Sequence, residues 1–226
     1  MDWTLIPVVS YVFFGLFVVA SIVHLVFCYI EFELARKITK CMTTGMLAVA
    51  VICAIPTQPL VYCGLLCGLA GDAFLLKKHK VWPFACGMIS FLLSHVLYIA
   101  GFMVVCGPLH WAYYVASGLY VVLFPLLTYH FGNTIVHQKH LAFGGVSYFG
   151  FLSLDLIWAI IACCNGHVNY CLLCVFGALS FIASDVFLAR TLFKKDVKRR
   201  DFFIMATYLV AQGLICTGFV MTFLMR

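Results

Sequence analysis

Apolar residues run in long blocks along this chain, and charged residues fall in short clusters between the blocks. Hydropathy and turn signals predict membrane-spanning helices near residues 3–30, 41–56, 59–76, 82–105, 109–130, 141–163, 170–192 and 203–225. A span needs about 20 mostly apolar residues, so blocks of these lengths with short connections leave no room for a separate soluble domain. The expected fold is all-α: a polytopic transmembrane helix bundle of about eight spans, with residues 1–226 as a single transmembrane domain. The second span is the shortest and runs into the turn between Pro56 and Pro59. The first block is a span and not a signal peptide, because Asp2 stands where a positive charge is needed and the run from Ile6 to Ile30 is too long for an h-region.

Charge supports the same count. Every Lys and Arg except Arg226 falls in alternate connections: Arg36, Lys37 and Lys40; Lys77, Lys78 and Lys80; Lys139; and Arg190, Lys194, Lys195, Lys198, Arg199 and Arg200. The positive-inside bias then predicts eight spans with both termini facing away from the cytoplasm. These basic clusters flank the membrane and carry few interleaved aromatics, which fits topology signals near phosphate head groups and excludes a nucleic-acid partner. Composition agrees, with 65% hydrophobic residues, 10% charged residues and a mean hydropathy of +1.11, far from soluble domains. The expected setting is an integral membrane protein of the endoplasmic reticulum or another endomembrane.

The cysteines are scattered through apolar blocks and read as small hydrophobes. Cys171 and Cys174 form the nearest approach to a metal pattern, but no second pair stands at zinc-ligand spacing, so no metal site is expected.

Against this background the buried acids stand out. Asp72 lies about one turn inside the cytoplasmic end of the third span and Asp185 about two turns inside that of the seventh. His24, Tyr148 and Tyr208 fall in the same half of the bilayer, while His95, Asp155 and Gln212 lie nearer the midplane. An aspartate at such depth costs about 2.5–3.5 kcal/mol on insertion scales, so each needs partners and a purpose. The structural alternative is a carboxyl that ties two helices together by hydrogen bonds. Asp155 is a lone acid and is assigned no role.

Asp72 and Asp185 are not alone, because Asp-Ala-Phe-Leu at 72–75 matches Asp-Val-Phe-Leu at 185–188, each after a small residue, Gly71 or Ser184. The spacing that carries Asp72 onto Asp185 also carries His95 onto Tyr208. The copies share orientation, which suggests a parallel internal repeat of four helices about an axis normal to the membrane. Such an axis predicts that spans three and seven are neighbours and that the two carboxyls face one cavity. Two close carboxyls in a low-dielectric site share a proton, which supplies an acid and a base from identical residues.

The stretches Gly-Asp-Ala-Phe-Leu-Leu at 71–76, Phe-Leu-Leu-Ser-His-Val-Leu-Tyr at 91–98, Gly-Ala-Leu-Ser-Phe-Ile-Ala-Ser-Asp at 177–185 and Thr-Tyr-Leu-Val-Ala-Gln-Gly-Leu-Ile at 207–215 resemble the motifs of the YhhN-like lysoplasmalogenase family. Their order and the eight-span layout match over almost the whole chain, and Lys40 and Tyr148 also look like family positions. The chain departs from the pattern in lacking a proline shortly after Lys40, in having Leu209 after Tyr208, and in carrying Asp155 at an expected apolar position. The resemblance implies hydrolysis of the vinyl ether bond of lysoplasmalogens to a fatty aldehyde and a glycerophospho head group of ethanolamine or choline. It implies no metal and no organic cofactor. The partners are then a lysophospholipid substrate and the bilayer.

On this reading Asp72 and Asp185 are the catalytic acid and base, in either order. His95, Tyr98, Tyr148, Ser184, Tyr208 and Gln212 are candidates to hold the dyad, the water or the glycerol, and Lys40 is a candidate to meet the phosphate. Each has a plainer alternative as a helix tie or a snorkelling anchor. The rival function is a membrane transporter or proton-coupled carrier using the same aspartates, although paired broken helices are missing from the two halves. An intramembrane aspartyl protease lacks its Gly-x-Gly-Asp and Pro-Ala-Leu motifs here, and a receptor-like protein gains no support from eight spans.

Overall fold

Eight apolar blocks need eight helices, since in hydrocarbon the backbone must satisfy its own N–H and C=O groups. The computed structural model describes residues 7–76, 81–132, 139–193 and 199–225. It contains α1 (Val8–Tyr29), α2 (Glu33–Ala54), α3 (Pro59–Leu75), α4 (Val81–Cys106), α5 (Trp111–Gly132), α6 (Lys139–Ala162), α7 (Val168–Phe193) and α8 (Arg200–Leu224). A single wide helical turn, Cys163–His167, joins α6 to α7, and no strand occurs among the described residues. Six of these helices are long and apolar enough to cross a membrane, and the shorter apolar helices are Pro59–Leu75 and Trp111–Leu126. Lys77, Lys78, Lys80, Lys194, Lys195, Lys198, Arg226 and the first residues of the first expected span lie outside the described residues.

The second helix differs from its expected extent of 41–56. It begins at Glu33 and stops at Ala54, ahead of Pro56. Its first turns are polar and carry a Glu33–Lys37 ion pair of 2.6 Å one turn apart. Hydropathy registers only the hydrocarbon-compatible part of such a helix, whereas the backbone continues past the membrane boundary.

Neighbours in sequence form the closest pairs: α7 packs along α8, α1 along α2, and α3 along α4. Helix α6 joins α4, α5 and α7, and α8 reaches across to α1, α2 and α3. Small residues permit the tightest approach. A Cβ on Gly177 would stand 3.0 Å from the Ala211 carbonyl oxygen, and one on Gly218 would stand 2.9 Å from that of Tyr170. The expectation that spans three and seven are neighbours is not met, because α7 packs mainly on α8 and α6 while α3 packs mainly on α4.

The core holds Trp158, Tyr98, Phe102, Phe181 and Phe219, whereas Val12, Val19 and Ile22 of α1 and Leu119, Val122 and Leu126 of α5 point outward. Apolar side chains on both sides are what a helix needs when one face meets protein and the other meets lipid. At the end of α4, Gly107 takes a left-handed φ of 70° and its N–H bonds to the Met103 carbonyl at 3.1 Å, closing the helix.

Candidate functional site

Helix α2 aligns Arg36, Lys40 and Thr44 at four-residue intervals, so their side chains rise along one face. That face meets the C-terminal half of α3, where Asp72 is only 1% exposed. Thr44 donates to Asp72 Oδ2 at 2.7 Å and Tyr208 of α8 donates to the same oxygen at 2.8 Å. Lys40 Nζ stands 3.3 Å from the other oxygen, Oδ1. Three helices therefore converge on one carboxyl, and all three of its partners are donors suited to a carboxylate.

Asp185 on α7 accepts a 2.6 Å hydrogen bond from the Tyr148 hydroxyl of α6. The arrangement echoes the first: each aspartate takes a hydroxyl from the preceding helix, Thr44 for Asp72 and Tyr148 for Asp185. The counterparts across the halves also correspond, since Tyr208 of α8 serves Asp72 and His95 of α4 lies within electrostatic reach of Asp185. No hydrogen bond joins the two carboxyls directly. A row of ring contacts links their partners, from Tyr208 on Asp72 to Tyr148 on Asp185, with centroid distances of 5.5 Å from Tyr208 to Phe181, 4.5 Å from Phe181 to His95 and 6.3 Å from His95 to Tyr148.

The His95 ring is oriented by the acid that the sequence left without a role. His95 Nδ1 lies 3.1 Å from Asp155 Oδ2, and both side chains are fully buried. A carboxylate on Nδ1 fixes which ring nitrogen carries the proton, and Nε2 is buried without a hydrogen-bond partner among the described residues. Tyr98 donates to Gln212 Oε1 at 3.0 Å, bridging α4 and α8. Ser184 donates to the Ile204 carbonyl at 3.0 Å and so ties α7 to α8. Of the expected residues, Lys40 and Tyr208 contact Asp72, Tyr148 contacts Asp185, His95 contacts Asp155, Tyr98 and Gln212 bond to each other in the buried core, and Ser184 is engaged with backbone.

A cavity of about 610 Å³ opens at the end of the bundle that holds the α1–α2 connection and the start of α8. Arg36, Lys37, Lys40 and Arg200 supply its positive wall, with Glu33 and Asp201 between them, and Leu75, Leu188 and Met205 supply apolar surface. Arg36 pairs with Asp201 at 2.7 Å, joining α2 to α8, and the Arg199 guanidinium lies 3.8 Å from the centre of the Tyr29 ring. Lys40 belongs both to this cavity and to the Asp72 cluster. Among the described residues no group of three metal-ligating side chains occurs.

Sequence reasoning missed Thr44 and the partner of Asp155. Thr44 carried one signal, its position one helical turn beyond Lys40 on the face that opens at Arg36. The His95–Asp155 pair carried none, because its members are far apart in sequence.

A model of the YhhN family matches residues 35–219, a stretch that includes every candidate residue from Arg36 to Gln212. A human protein named lysoplasmalogenase TMEM86A is 28% identical over 174 residues, covering 74% of this chain and 68% of that protein. No solved structure matches the chain.

Proposed function

The chain belongs to the YhhN family, and from that premise we propose that it is a lysoplasmalogenase-type hydrolase that cleaves the vinyl ether bond of a lysophospholipid. The relative named lysoplasmalogenase supports the substrate class. The observation that carries the reading is Lys40, which lines a positively walled cavity and also touches the buried Asp72 carboxyl. A phosphate held by Lys40 and its basic neighbours sits only a glycerol unit away from the ether oxygen, which brings the reacting bond to the Asp72 cluster.

The partners distinguish the two acids. Asp72, against an ammonium and two hydroxyl donors, serves as the carboxylate. Asp185, with a single neutral phenol, serves as the proton donor. In the slow step Asp185 gives its proton to the vinyl carbon remote from oxygen, and the electron pair of the double bond forms the new C–H bond. The oxocarbenium ion that results is stabilised by the Asp72 carboxylate in a site of low dielectric. Water adds to the cationic carbon, its proton passes to Asp72, and a neutral hemiacetal forms. Collapse restores both groups: Asp185 takes the hemiacetal hydroxyl proton, Asp72 protonates the departing glycerol oxygen, and the C–O bond breaks to give the aldehyde. The endoplasmic reticulum or another endomembrane, with both termini away from the cytoplasm, completes the proposal and puts the basic cavity at the cytoplasmic surface.

Purified protein incubated with vinyl-ether and matched acyl lysophospholipids is expected to release fatty aldehyde from the first and no fatty acid from the second. Absence of aldehyde, with solute uptake into liposomes, would favour a carrier and overturn the hydrolase reading.

A further inference from the structure

Gly68 lies one turn before Asp72 on α3, and the space beside it is bounded by polar atoms from two other helices. A Cβ built on Gly68 would stand 3.3 Å from Gln212 Nε2, 3.7 Å from Ser94 Oγ and 3.9 Å from the Tyr208 hydroxyl. Ser94 is 0% exposed and Gln212 1% exposed, and neither Ser94 Oγ nor Gln212 Nε2 has a hydrogen-bond partner in the protein. Ser94 Oγ lies beside the Tyr98 hydroxyl, but that hydroxyl is directed to Gln212 Oε1. Leaving a buried donor unmatched costs about 1–3 kcal/mol, so two such atoms converging on one small space call for a polar occupant.

We propose that the space beside Gly68 is the seat of the water consumed in hydrolysis, held by Gln212, Ser94 and Tyr208 and delivered to the substrate from α3. The inference rests on the vinyl-ether reading above for its catalytic part, while the seat itself rests on the geometry alone. The donor and acceptor pattern suits water. Gln212 uses Oε1 to accept from Tyr98, which leaves Nε2–H to donate to the water oxygen. Tyr208 uses its own proton on Asp72 Oδ2, so its oxygen is left to accept one from water. Ser94 takes the remaining position as donor or acceptor. A buried water typically has two to four such partners, and an alkyl chain has none to offer.

The seat also supplies a proton path. As the water oxygen bonds to the oxocarbenium carbon, the C=O π pair returns to the ether oxygen. The water proton moves to the Tyr208 oxygen and the Tyr208 proton moves to the Asp72 carboxylate, so charge and protons balance without any further reactant. Tyr208 then acts on substrate through this water, and Gly68 is required because only a residue without a Cβ leaves the seat open.

Gly68→Ala tests the proposal. The methyl group occupies the seat while the helix interior tolerates alanine better than glycine by about 1 kcal/mol, which favours folding. The expected result is kcat lowered about tenfold or more with KM changed less than about twofold, because substrate still binds while capture of the cation becomes slower than its formation and the cation returns its proton instead. Gln212→Leu, which removes the donor without filling the space beside α3, is expected to lower kcat in the same way. Unchanged kcat in Gly68→Ala, or a raised KM with unchanged kcat, overturns the proposal. A structure of the wild-type protein at a resolution that reveals solvent is expected to hold a water within about 3.2 Å of Gln212 Nε2, and a lipid chain in that position overturns it. The wild-type assay judges the vinyl-ether reading on its own, and the solvent density judges the seat on its own.

Discussion

Replacing Thr44 by valine removes one hydroxyl and nothing else of consequence, since the two side chains share a shape. The lost bond is the 2.7 Å donation to Asp72 Oδ2 inside a site where Thr44 and Asp72 are each 1% exposed. A hydrogen bond to an ionised group contributes about 1.5–3 kcal/mol. Tyr208 still donates to the same oxygen at 2.8 Å, so the lower part of that range applies. With about 1.4 kcal/mol per factor of ten, turnover of a vinyl-ether lysophospholipid is expected to slow by roughly 10- to 30-fold. The assay is aldehyde release by purified protein at saturating substrate, run beside Thr44→Ser, which restores a donor and is expected to recover most of the rate. If valine keeps the wild-type rate, or if serine is no better than valine, the Thr44 hydroxyl does not hold the Asp72 carboxylate during reaction, and the reasoning from these contacts to catalysis is wrong.

Asp155→Leu is expected to strand His95 Nδ1 and lower stability by about 1–3 kcal/mol, whereas Asp155→Asn keeps an acceptor and stays close to the wild type in a melting curve. Gly218→Ala pushes a methyl group against Tyr170 backbone at the α7–α8 contact, so the midpoint of thermal unfolding is expected to fall by the equivalent of about 1–3 kcal/mol while activity per folded molecule is retained. Reporter tags on the two termini are expected to report a non-cytoplasmic location for both, and a cytoplasmic C-terminus contradicts the assigned leaflet.

The chain disclosed its helices because hydrocarbon permits little else: long apolar blocks had to become helices, and the charge clusters marked their ends. Asp72 and Asp185 stood out as candidates because charge is costly in an apolar helix and because the surrounding residues repeat. The chain did not disclose which helices touch. Expecting α3 beside α7 assumed that similar segments pair with each other, yet Gly177 and Gly218 draw α7 onto α8, and Gly64 and Gly101 admit α4 side chains and the Phe219 ring close to α3 and α4. The pairing is decided by where side chains are absent. Thr44 escaped notice because a threonine in an apolar helix is unremarkable until an acid from another helix is found beside it. Asp155 was legible as an oddity and no more, since its meaning lies in His95, which is remote in sequence and adjacent in space.

The central claim is that Asp72 and Asp185 work as one catalytic unit, although no hydrogen bond joins them and only a row of ring contacts links their partners. The most direct measurement is aldehyde release by Asp72→Asn, Asp185→Asn and the double variant, each compared at equal amounts of folded protein with lysolipid binding followed in parallel. Either single change is expected to abolish most turnover while binding persists, and the double variant is expected to be hardly slower than the worse single one, because neither half of an acid–base pair functions without the other. If both single variants release aldehyde at close to the wild-type rate, the two carboxyls are helix ties, and the chemistry lies elsewhere in the bundle.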